Sequence, residues 1–313
     1  MKSNSRVLGL HHAIKSVILL GFAVYIAYLV KTDNILLYIA PRMVVYVKWS
    51  AIALYAVAVY QVYQTILAFR GSDAAACDCD HDHTPSPSVL KNTVIYGLFF
   101  LPLVLGIVLP DTSMGSSLAA KKGMNLNSAS AVKKDSSAAP AGSVNGNTAP
   151  TAPQQPADGK AASAADSELF PADKFTQHYA KYAKQLYQSN LITVREELYM
   201  ETLTTVDLYL DRFVGKKLEL TGFVYRQDEM KDNQFVVGRF SIQCCSADAA
   251  PFGVLVEYDR AKTLASDSWV TVTGTIQKTK YNDMDIMVLK VDKVAKAEPA
   301  KTPYVYPNYE FGT

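Results

Sequence analysis

The chain has 313 residues, of which 49% are hydrophobic and 19% charged, with a formal net charge of +2. That length allows about two domains, and the near-neutral balance excludes a strongly basic nucleic-acid coat and an acidic disordered chain. Four cysteines are too few for a disulfide-dense secreted scaffold.

The charges of the first 110 residues are spaced so as to leave apolar gaps. Fifteen uncharged residues separate Lys15 from Lys31, twenty-one separate Lys48 from Arg70, and nineteen separate Lys91 from Asp111. A membrane-spanning helix needs about 20 such residues. The pattern therefore predicts a transmembrane domain over 1–110 with three spans, at about 13–31, 48–69 and 92–110; the first is completed if a flanking lysine snorkels. Lys31-Thr32-Asp33 stands where a signal peptide would carry small residues, so the first span reads as a retained anchor. Pro41-Arg42 interrupts the apolar stretch 35–47, which predicts an interfacial or re-entrant turn before the second span. His11 and His12 are expected at the interface. Orientation is not decided by charge: with the N-terminus inside, Lys2, Arg6, Lys15, Arg70 and Lys91 oppose Lys31, Arg42, Lys48, Lys121 and Lys122.

Residues 111–168 contain no aromatic residue and no isoleucine, and 14 of the 58 are alanine. Such a stretch buries too little apolar area to offset the entropy of ordering it. It reads as a disordered Ala/Ser/Pro linker.

Composition turns globular over 169–313. Phe170, Phe175, Tyr179, Tyr182, Leu186 and Tyr187 recur at helical spacing, with Asp173 as a candidate cap. A second short helix is expected over 204–213, ended by Gly215. Five strands follow, at 217–226, 234–245, 253–259, 269–280 and 285–296, dense in β-branched residues. Thr221-Gly222 and Thr273-Gly274 repeat at a 52-residue offset, and an interior strand glycine marks a bulge or bend. The fold class is thus a membrane α-helical part plus a β-rich domain, an OB-like five-stranded barrel with one or two flanking helices. A two-sheet sandwich competes with it.

Two cysteine pairs carry the candidate chemistry. The loop between the second and third spans reads Cys77-Asp78-Cys79-Asp80-His81-Asp82-His83, holding four of the chain's nine Cys and His residues. Thiolates and neutral imidazoles suit soft or borderline metals such as Zn²⁺ and Cu⁺, so Cys77, Cys79, His81 and His83 are candidate ligands; a solvated polar loop is the bland alternative. Cys244 and Cys245 close the second expected strand, where adjacent side chains face opposite sides. They can share an ion only if the strand bends there, with Asp248 as a possible third ligand. A vicinal disulfide, or a buried hydrophobe beside an incidental neighbour, is as good a reading of that pair.

There is no P-loop, dinucleotide fingerprint or G-x-S-x-G, which argues against an enzyme. Lys216, Lys217, Lys231, Lys278 and Lys280 are scattered among acidic residues, not grouped into a basic groove with aromatics, so nucleic acid is not expected as a partner.

LTGFVYR (220–226), QFVVGRFSIQCCSADAAPFGVLVE (234–257), WVTVTGTI (269–276), PYVYP (303–307) and the triplet Pro41–Met43 resemble the bacterial YcgQ-like membrane proteins, described as subunits of a two-component permease. The resemblance implies multi-pass residence in a bacterial cell membrane, a C-terminal domain outside the cell, and a larger polytopic permease as partner. It supplies no catalytic residues, and Cys244, Cys245 and Asp248 carry over only as motif positions. The combined reading is an accessory permease subunit that handles metal ions. An extracytoplasmic docking module without a transport role and a thiol-based metallochaperone stand beside it.

Overall fold

A computed structural model describes residues 2–70, 88–129, 169–227, 229–281 and 284–312. They divide into two compact units. One comprises Met1–Ser113 with Cys244–Ser246, the other Met114–Gln243 with Ala247–Thr313.

The first unit contains α1 (Lys2–Lys31), α2 (Pro41–Arg70) and α3 (Val89–Val108). All three are long and apolar enough to cross a membrane, over Val7–Lys31, Pro41–Arg70 and Val89–Val108. The break expected at Pro41-Arg42 is present and falls immediately before Pro41. Pro41 is the first residue of a 30-residue helix, a position whose amide has no helical partner and whose φ proline presets. The turn itself lies earlier, in a short 3₁₀ segment at Asn34–Leu37. His11 lies four residues into the apolar segment that begins at Val7, its Nδ1 2.8 Å from the Tyr96 hydroxyl. Gly21 allows α1 and α3 to touch: a Cβ there would come within 2.5 Å of Leu103 Cδ2. Nearby, Tyr25 donates its hydroxyl hydrogen to Gly106 O at 2.9 Å. The residue four places on from Gly106 is Pro110, which has no N–H to offer that carbonyl. The tyrosine supplies the missing donor.

The second unit begins earlier than composition predicts. Residues 114–129, read above as the start of the linker, are folded and include α4 (Ser116–Lys122). Ser116 donates from both its amide (2.6 Å) and its hydroxyl (2.7 Å) to Asp267 Oδ1. Asn125 forms a parallel bridge with Phe252, and Ala119, Leu126 and Ala129 are buried. Alanine has little area to bury, but it permits close approach to a preformed surface, and that surface is supplied by the strands. The rest of the expected linker, 130–168, lies outside the described residues.

Beyond it come α5 (Gln177–Gln188), β1 (Leu191–Thr193), α6 (Tyr199–Leu208) and α7 (Leu210–Phe213). The second helix thus starts five residues before the expected 204 and breaks at Tyr209. Asp173 anchors the turn leading into α5, its Oδ1 accepting from the amides of Phe175 and Thr176. Gly215, at φ 88°, terminates α7 in the left-handed region.

The sheet strands are β2 (Lys217–Tyr225), β3 (Gln234–Ser241), β4 (Ala250–Glu257), β5 (Trp269–Tyr281), β6 (Met284–Lys296) and β7 (Tyr304–Val305). Five of them form a ring in which β2 pairs with β5, β5 with β6, β6 with β4, β4 with β3 and β3 with β2. Only the β4–β6 pair is parallel within that ring, while β1 and β7 extend it at β2 and β3. Both repeated glycines sit at turning points. β2 pairs with β5 from Lys217 to Phe223 and with β3 only from Phe223 on, so Gly222 stands where the strand changes partner. Gly274 stands at a register shift between β5 and β6, where a Cβ would meet Lys290 O at 2.7 Å. Leu218, Leu220, Val272, Ile276 and Leu289 point into the core, each no more than 1% exposed. Burial of such a side chain is worth about 1.5–3 kcal/mol.

Candidate functional site

The strand expected to run to Cys245 ends at Ser241, and a 3₁₀ turn follows at Ser246–Asp248. That break removes the alternation which would have turned the thiols to opposite faces. Cys244 Sγ and Cys245 Sγ lie 3.6 Å apart and are not joined in a disulfide. With the Asp248 carboxylate they form a group whose ligand atoms all lie within 4.8 Å of one another.

Backbone bonds fix this turn. Gln243 N donates to Asp248 Oδ1 at 2.9 Å, which orients the carboxylate. Ala40 N donates to Cys244 O at 3.0 Å and Ser246 N to Tyr38 O at 2.7 Å, an antiparallel bridge centred on Ile39 and Cys245. Lys122 Nζ donates to Ala249 O at 2.5 Å, just past the turn. The three predicted residues are thereby brought together. The other four, Cys77, Cys79, His81 and His83, lie outside the described residues.

A second polar cluster was not singled out in the sequence. Arg239, on β3, is 1% exposed. Its guanidinium donates to Glu196 Oε1 at 3.0 Å and to Thr302 O at 2.8 Å, and it stacks over the Trp269 ring at 4.8 Å. Further along the same C-terminal segment, Asn308 N donates to Glu201 Oε1 at 2.7 Å. Burial pushes the Glu201 carboxyl above the ordinary carboxylate range, only partly opposed by that amide. Burial also pushes the Tyr306 phenol up to about 12, with the neighbouring Arg239 charge acting the other way. Residues 302–308 therefore form a strap held by Arg239 and Glu201, which gives PYVYP a structural role: Tyr304 and Val305 are buried and paired with β3. The signal in the sequence was an arginine inside the otherwise apolar run FVVGRFSI.

Residues 14–125 match the DUF1980 N-terminal domain and residues 169–307 the DUF1980 C-terminal domain. The chain belongs to this family of YcgQ-like membrane proteins. Among its relatives, UPF0703 protein YcgQ of Bacillus subtilis is 26% identical over 305 residues, covering 92% of this chain and 97% of that protein. A protein of Streptococcus mutans named "Putative two-component membrane permease complex subunit" is 27% identical over 143 residues, 45% of this chain and 52% of that protein.

Proposed function

We propose that the chain is an accessory subunit of a membrane permease, with no catalytic role of its own. Three spans anchor it, and an OB-like barrel is carried on the extracytoplasmic side. The observation that carries this reading is the similarity to the Streptococcus mutans relative, whose name describes a subunit of a two-component permease complex. Three helices long and apolar enough to span support the membrane anchorage.

The strand order supports the OB-like part of the proposal. Taking the five ring strands in sequence, the first pairs with the second and fourth, and the third with the fifth in parallel. This is the connectivity of a five-stranded Greek-key barrel. The partner in this reading is a polytopic permease in the same bilayer. Full-length tagged protein, extracted from its own membrane in mild detergent, should retain one polytopic membrane protein near stoichiometrically, identified by mass spectrometry. Recovery of the chain with no such companion under several detergents would sink the proposal.

A further inference from the structure

We propose that Cys244, Cys245 and Asp248 form a three-ligand site for a borderline divalent cation of the Zn²⁺ type, with the fourth coordination position open. A tetrahedral centre with metal–sulfur bonds of about 2.3 Å places two thiolates about 3.8 Å apart. The sulfurs already stand at 3.6 Å. A linear two-thiolate arrangement at the same bond length would need about 4.6 Å, so the spacing favours the tetrahedral geometry. Neighbouring cysteines on a regular strand could not reach it. The termination of β3 at Ser241 and the tight turn at Ser246–Asp248 make it accessible.

The surroundings fit a held ion as well. Gln243 N donates to Asp248 Oδ1, and ligating carboxylates are ordinarily held by such hydrogen bonds. Two backbone bonds to Tyr38 and Ala40 hold the peptide groups of Cys244 and Ser246, so the sulfurs need little ordering on binding. Binding displaces the two thiol protons, and the resulting thiolates with the carboxylate overcompensate the dication by one charge. Three protein ligands leave one position for water or an incoming ligand. That suits an ion which is exchanged or handed on better than one buried for structure.

The site is independent of the permease reading, although that reading would supply its use, namely presenting a cation to the partner. The test uses the full-length chain in detergent with Cys77→Ser and Cys79→Ser, so that the turn holds the remaining thiols. Co²⁺ should bind at one equivalent and give a thiolate-to-metal charge-transfer band with tetrahedral ligand-field bands, and Zn²⁺ should displace it. The band should vanish on adding Cys244→Ser and Cys245→Ser, or the corresponding alanines, with the far-ultraviolet circular dichroism unchanged. Asp248→Asn should keep the charge-transfer band but weaken Co²⁺ binding by roughly tenfold or more. No charge-transfer band in the starting protein, a band that survives loss of both thiols, or an unchanged affinity in Asp248→Asn would each overturn the proposal. Failure to retain a permease would leave the Co²⁺ result standing.

Discussion

Arg239 and Glu196 meet at 3.0 Å with very unequal burial, the guanidinium 1% and the carboxylate 48% exposed. Arg239 carries the larger consequence, because it also holds Thr302 O and covers Trp269. Arg239→Met should cost about 2–4 kcal/mol, the sum of a lost charged hydrogen bond and an unpaired strap carbonyl. For a unit of this size that corresponds to a fall in Tm of roughly 5–15 °C, read by tryptophan fluorescence on thermal unfolding in detergent. Glu196→Gln should cost about 1 kcal/mol or less, since its carboxylate is half in water. Equal losses in the two variants would refute the strap as the source of the difference.

Glu201 makes stability depend on pH in a defined sense. Its folded carboxyl titrates above the unfolded value of 4.5 because burial penalises the charge. The native state therefore holds a proton that the unfolded chain releases, and the contribution is complete below about 4.5 and lost as pH rises through the folded value. Urea midpoints should fall over that window in the natural chain. The decline should flatten in Glu201→Gln, which retains an oxygen for Asn308 N. An identical decline in both proteins would show that other groups govern the window.

These two residues also show where sequence reasoning reaches its limit. The spans were legible because charges are costly in hydrocarbon and therefore sparse there, and Lys31, Arg70 and Lys91 stand at or near the helix ends. Gly222 and Gly274 were legible because a bend in a strand needs a missing Cβ. Arg239 and Glu201 were not, since their partners lie 43 and 107 residues away. The folding of 114–129 was hidden for a related reason: alanine gains from burial only against a surface made elsewhere in the chain. The thiol pair was legible as residues but not as geometry, because the end of β3 at Ser241 decides which way both sulfurs point.

Orientation follows from reagents that do not cross the membrane. If the β-rich domain is extracytoplasmic, an impermeant maleimide applied to intact cells should modify the Cys77→Ser/Cys79→Ser chain, through Cys244 and Cys245. It should leave the Cys244→Ser/Cys245→Ser chain unmodified until the cells are lysed. The reverse pattern would place the β-rich domain inside. The even count of flanking lysines and arginines makes this a measurement the sequence does not replace.

The bond from Tyr25 to Gly106 O yields a prediction with a built-in control. In hydrocarbon an unpaired carbonyl has no water to turn to, so Tyr25→Phe should weaken α1–α3 association by about 1 kcal/mol. Pro110→Ala should change that cost. It restores an N–H four residues beyond Gly106 and frees Leu109 from the extended backbone that precedes a proline, letting α3 extend and satisfy Gly106 O within the helix. In that background Tyr25→Phe should cost little. Resistance to denaturation in mixed detergent micelles across the four proteins of the cycle gives the coupling. A Tyr25→Phe cost that is the same with proline or alanine at position 110 would mean that the tyrosine acts through packing alone. Gly21→Leu serves as the packing comparison, since its added side chain meets Leu103 whichever residue stands at 110. Its loss should be insensitive to Pro110→Ala, and only the Tyr25 term should shrink.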